Sequence, residues 1–150
     1  MMKTVFVSFL LLLLTTPPSF AVDGLVTRKS AVSVKETIDR LETLAQKKGL
    51  QVFVRIDHAK GAASVGKTLL PAELLIFGNP QGGTPFMECA QTVGIDLPLK
   101  ALVWEDAAGQ VWLGYNDPEF LARRHAVPDC AVVQNMAKAL EAIAITVTAD

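Results

Sequence analysis

The sequence predicts a single two-layer α+β domain with helices packed on one face of a mixed β-sheet, and three observations predict it. Apolar residues recur at helical spacing behind capping signals in some segments and alternate with a period of two in others, so both element types share one core. The segments follow one another without a repeat, a linker or a low-complexity stretch. Setting the first 21 residues aside as a leader leaves 129 of the 150, a length that fits one core and not two.

The leader is read from its pattern. Lys3 supplies a positive start, residues 5–14 are apolar apart from Ser8, and Ser19-Phe20-Ala21 places small residues at the two positions a signal peptidase reads. The apolar run falls short of the roughly 20 residues of a membrane span, and Pro17 and Pro18 follow it at once. Cleavage after Ala21 and export, either to the periplasm or out of the cell, are expected; the other reading is an uncleaved anchor. No cysteine near the cleavage point invites lipid attachment. No later run approaches membrane length, so residues 22–150 are expected to be soluble, with no stable membrane insertion after cleavage.

Residues 23–29, with Leu25 and Val26, read as a first strand. Ser33 then opens a helix, because Ser33-x-x-Glu36 is a capping box in which each side chain satisfies the other residue's free N–H. Val34, Ile38, Leu41, Leu44 and Ala45 form its apolar stripe, and Gly49 stops it. Residues 50–57 alternate, with Leu50, Val52, Val54 and Ile56 on one face and Gln51, Phe53, Arg55 and Asp57 on the other. Residues 58–66 read as a loop or a short helix. The continuous apolar run 74–77 suggests a strand buried on both faces, where Ile76→Ala is expected to cost about 2–5 kcal/mol. It ends at Gly78-Asn79-Pro80, and Gln81-Gly82-Gly83 keeps the loop open until Thr84-Pro85 starts a second helix, through Val93 to Gly94. Residues 99–105 and 111–116 flank the turn 106–109 as a hairpin, with Lys100, Leu102 and Trp104 on one face. Asp117-Pro118 repeats the cap-plus-proline signal for a short helix to about Arg124. Pro128 opens a last helix to Ile143, with Val132, Val133, Met136, Ala137 and Leu140 on its stripe.

Composition narrows the function classes. Without Lys3, 13 basic residues face 15 acidic ones, a net charge near −2. The basic residues are scattered, and the adjacent Arg123 and Arg124 lie beside no aromatic platform, so no nucleic-acid partner is expected. Cys89 and Cys130, 41 residues apart, are an even pair in an exported chain, where a bridge is chemically allowed. It would close a loop worth roughly 3–4 kcal/mol; the other reading is two unpaired, buried thiols. CxxC and CxxCH are absent, and His58, His125, Cys89 and Cys130 do not fall at ligand spacing, so no metal and no cofactor is expected. The GxSxG elbow and a glycine-rich phosphate loop with its lysine are absent as well.

Five blocks taken together are more specific than any one of them. RIDHA at 55–59, ELLIFGNP at 73–80, IDLPLKALVWED at 95–106, VWLGYNDP at 111–118 and Arg123-Arg124-His125 resemble the domain of unknown function 302 family in order and spacing. The resemblance runs over about residues 23–125; the helix 128–143 and the two cysteines look less typical of the family. It implies a compact α+β fold that tends to pair into homodimers, and it implies no reaction, since none is established for the family.

Asp57 and His58 are the strongest acid/base candidates, because a histidine moves protons near its pKa and a carboxylate orients it. Neighbours on a strand point to opposite faces, so a turn-capping pair explains them equally well. Glu105 is the third catalytic candidate. Glu73, if inward, requires a cation, and Arg55 or Lys100 can supply it. Asn79 follows the most buried strand. Trp104, Trp112, Tyr115 and Asn116 gather on the hairpin, where they line a ligand groove, form a dimer seam or pack in the core. The ligand-binding candidates are therefore Arg55, His58, Glu73, Asn79, Lys100, Trp104, Tyr115 and Asn116. The reading that follows is an exported small-ligand-binding or accessory module, not an enzyme. The alternatives are an envelope enzyme using His58 as acid/base, and a structural homodimer seamed by the hairpin aromatics.

Overall fold

The computed structural model of the protein describes residues 22–150, so the expected leader 1–21 and its expected cleavage after Ala21 lie outside the described residues. Helix α1 (Val34–Lys47) starts where the capping signal places it, with the Ser33 hydroxyl accepting from the Glu36 N–H at 3.2 Å. The return half of the box is not used: the Glu36 carboxylate pairs with Arg40 at 2.7 Å instead. Gly49 follows at φ +74°, a conformation that suits the residue after a helix.

Strands β1 (Leu25–Ser30), β2 (Gln51–Asp57), β3 (Ala72–Gly78), β4 (Leu99–Glu105) and β5 (Val111–Asn116) form one open sheet in the order β1-β5-β4-β3-β2. The α+β class stands. Every neighbouring pair is antiparallel, however, where the sequence suggested a mixed sheet. The opening strand–helix–strand unit explains the difference. β1 and β2 do run in the same direction, but α1 carries the chain from one edge of the sheet to the other and three strands fill the gap.

The helices lie on one face, as expected, and the core forms between α1, the sheet and α5 (Val132–Thr148) from Ile38, Leu41, Leu75, Phe77, Val103, Leu113, Leu140 and Ile143, among others. Along β3, Leu75 and Phe77 are fully buried against the helices, while Leu74 and Ile76 point to the opposite face and are only half-buried. The run 74–77 is thus buried on one face rather than two. In β2 a bulge between Val52 and Val54 reverses the alternation, so that Val52 and Leu50 pack toward the core with Arg55, while Val54 and Ile56 join the open face.

Two helices have other boundaries than the sequence suggested. Helix α3 (Pro80–Cys89) begins earlier than Thr84, because Asn79-Pro80 gives the same cap-and-proline signal and the Asn79 carboxamide oxygen accepts from Gly82 N–H at 2.8 Å. Gln81-Gly82-Gly83 is therefore helix, and Val93 sits on a separate 3-10 turn (Gln91–Ile95) after the extended Ala90. Helix α5 starts at Val132, not Pro128, and runs past Ile143 because Ala144, Val147 and Thr148 remain buried. Its end is tied to the strand edge by the Ala31 N–H donating to the Thr148 carbonyl at 3.0 Å. The two short helices are α2 (His58–Ala63) and α4 (Pro118–Arg124).

Candidate functional site

Arg55 is the centre of the densest charge cluster. Its Nε donates to Glu73 at 2.6 Å, and Nη1 donates to Asp39 at 2.6 Å and to Glu42 at 3.3 Å on α1. Of the two cations expected for Glu73, Arg55 is the one that reaches it. The Glu73 carboxylate, helped by Asp39, holds the Arg55 guanidinium above its already high range. Lys35 and then Arg55 hold the Asp39 carboxyl below the usual carboxylate range. The cluster fastens β2 and β3 to α1, and its arginine faces three protein carboxylates.

Lys100 lies on the opposite face of the sheet, where its ammonium donates to the carbonyls of Asp96 and Pro98 at 3.0 Å each. The Asp57 carboxylate accepts from the Lys60 N–H at 2.8 Å and so caps α2. His58 is the exposed first residue of that helix. Glu105 ends β4, with β3 between it and β2, so two strand spacings of about 10 Å separate it from the strand of Asp57. Asp57, His58 and Glu105 do not converge on one point. Because His58 supports nothing in the core, His58→Ala is expected to change stability by no more than about 1 kcal/mol, read from a urea melt; unfolding would make it a structural residue.

The hairpin aromatics divide between the two faces of the sheet. Trp104 and Trp112 stand directly opposite each other on the open face. Gly114 makes room for Trp104, since a Cβ there would lie 2.9 Å from its ring. The Trp112 indole N–H donates to Asp106 at 2.8 Å, and this bond, with backbone donors of the turn, holds the Asp106 carboxyl low. Tyr115 faces the helices and is buried, which pushes its phenol up. Asn116 is exposed at the strand end.

Three features go beyond the sequence reading: two it did not contain and one it left open. First, His125 is nearly buried between Asp96 and Thr92, with Nε2 2.7 Å from the Asp96 carboxylate and Nδ1 2.9 Å from the Thr92 hydroxyl. A carboxylate only accepts, so Nε2 donates to Asp96, while Nδ1 shares its hydrogen bond with the Thr92 hydroxyl. Arg124 also donates to Asp96 at 2.9 Å, and the group clamps the 3-10 turn to the end of α4. The separation of 29 positions between Asp96 and His125 hid it. Second, Cys89 and Cys130 are joined by a disulfide with Cα atoms 6.1 Å apart, which selects one of the two readings left open. Third, a cavity of about 600 Å³ lies between α3, α5 and the sheet end at Phe77, Gly78 and Leu99. Asn79 lines it, alone among the candidate ligand-binding residues. Among the described residues no group of three or more His, Cys, Asp or Glu is placed to hold a metal ion.

Residues 26–143 match the family described as Domain of unknown function DUF302, so the match continues beyond residue 125 through most of α5. Over 113 residues the chain is 50% identical to a protein named Fluoride-specific ion channel FluC 1 from Brucella suis biovar 1 (strain 1330), covering 74% of this chain and 44% of that one. A FluC 1 protein from Brucella abortus biovar 1 (strain 9-941) matches at the same identity over 42% of its length. The chain thus spans less than half the length of these curated relatives. It also shares its fold with the crystal structure of an uncharacterized conserved DUF302 protein from Bacillus stearothermophilus, at a TM-score of 0.74 and 23% identity over 83% of this chain and 98% of the other. With the family match spanning β1 to α5 and the same sheet-and-helix architecture in that structure, this chain belongs to the DUF302 family.

Proposed function

We propose that this protein is an exported binding or accessory module rather than an enzyme, and that two copies pair through the open face of the sheet. One observation carries the pairing: Val54, Ile56, Leu74, Ile76, Leu102 and the Trp104–Trp112 pair share a face on which neither α1 nor α5 packs, and Val54 and Ile56 are 42% and 37% exposed. An apolar stripe across four strands is more than scattered surface. Covering it with a second copy needs only one self-complementary patch, as a two-fold contact does. The family resemblance, which implies pairing, supports the same occupant.

The export reading rests on the leader pattern and is supported by the Cys89–Cys130 bridge, a bond that persists in oxidising compartments. The accessory reading is supported by the FluC relatives, in which more than half of a protein named as an ion channel lies outside the region like this chain. No helix among the described residues is long and apolar enough to cross a membrane. Against the enzyme alternative, the carboxylate expected to orient His58 is committed to the backbone of α2.

Native mass spectrometry of protein recovered from the periplasm tests both parts. The expected species is a pair of chains, each starting at Val22, and Ile56→Asp should convert it to single chains. Full-length protein in the membrane fraction overturns the export reading. A single chain that persists at tens of micromolar overturns the pairing.

A further inference from the structure

The geometry points to a binding site for an uncharged, largely hydrocarbon small molecule in the cavity between α3 and α5, a site independent of the pairing face. The volume, about 600 Å³, lies inside the range typical of small-molecule sites. None of the residues lining it carries a charge. A bound carboxylate or ammonium would therefore leave water without a partner, a large cost in an apolar wall. The depth of the cavity is graded: Phe77 and Leu140 are buried at its floor, while Phe53 and Met87 stay substantially exposed at its mouth. Met87 and Met136 are unbranched, adaptable side chains that fit irregular apolar ligands.

Polar groups are few. The polar side chains lining it are Asn79, Thr84 and Asn135; the Asn79 carboxamide spends its oxygen on the Gly82 N–H and keeps its NH₂ as a donor, so the ligand is expected to carry an oxygen that accepts from it, such as that of a hydroxyl, which can also donate to the other two. A covalent brace keeps the two walls apart. Cys89 is the last residue of α3 and Cys130 stands two residues before α5, so their bridge fixes one helix against the other at the end of the cavity.

The test uses N-phenyl-1-naphthylamine, a neutral apolar dye that fluoresces when it leaves water, with the purified protein. Saturable binding at one dye per chain is expected, displaced by 1-dodecanol and at least tenfold less well by laurate or dodecylammonium. Gly83→Leu on one wall and Ala139→Phe on the other should each weaken the dye at least tenfold. A Cβ at Gly83 meets only Leu97, at an ordinary 3.5 Å, so its side chain grows into the hollow without first colliding. Ile56→Ser on the open sheet face should leave binding unchanged whether or not the copies pair. Should the cavity variants not fold, photolabelling with a neutral aliphatic diazirine should mark residues 80–87 and 132–143. Absence of saturable binding, equal displacement by laurate, loss of binding in Ile56→Ser with retention in folded Gly83→Leu, or labelling confined to β2–β4 would each overturn the assignment.

Discussion

Replacing Phe77 with Ala is expected to destabilise the protein by about 3–5 kcal/mol, the usual range for emptying a buried aromatic site. The ring is fully buried on the helix-facing side of β3, opposite Val52 on one neighbour and Leu99 on the other. Those strands are fixed by their backbone ladders, so little can move in to fill the hole. The adjacent Ile76 gives the contrast. Its side chain is half-buried on the open face, so Ile76→Ala should cost roughly 1–2 kcal/mol in the single chain, below the 2–5 that the sequence suggested. Urea melts of the two variants at low protein concentration measure the difference. Equal losses would show that β3 is covered on both sides and would remove the open face from which the pairing is argued.

Removing the bridge with Cys89→Ala and Cys130→Ala together should cost about 4 kcal/mol, because a 41-residue loop regains its freedom in the unfolded chain. Reduction of the wild-type protein should cost a similar amount. The comparison is between denaturation midpoints of the oxidised, reduced and double-alanine proteins at equal slope. A loss under about 1 kcal/mol would mean that the unfolded chain is already held together in this region, so that the cross-link constrains little.

Much of the fold was legible because local signals and burial agreed. Ser33 and Gly49 bound α1, Asp106 and Gly109 turn the hairpin, and Asp117 caps α4 by accepting from the Glu119 N–H at 2.9 Å. The misreadings arose where two local signals competed. Asn79-Pro80 and Thr84-Pro85 are both cap-and-proline pairs, and only the side chain that meets a free backbone N–H decides between them. The bulge at Val52 and Val54 has no glycine to announce it, so strict alternation put four apolar residues on one face when they serve two. The candidate site was less legible for a related reason. Arg55 and Glu73 were found because opposite charges on adjacent strands seek each other, whereas the cavity is lined by ordinary uncharged residues drawn from four separate segments. Nothing in the composition of a segment marks the space left beside it.

The position of β1 bears on how the chain acquires its structure. Among the described residues its only strand partner is β5, and the paired residues are separated by 81 positions from Ser30 to Val111 and by 91 from Leu25 to Asn116. The first strand synthesised must therefore wait for the last one. β4 with β5 closes as a local hairpin and β2 with β3 across the short α2 connection, but the β1 edge forms only through a contact of high sequence separation, the kind that slows folding. A chain that emerges N-terminus first, from a ribosome or through a membrane pore, cannot complete its sheet until residue 116 is free. Throughout that interval residues 25–30 stay without their strand partner, open to chaperones that hold unfolded chains.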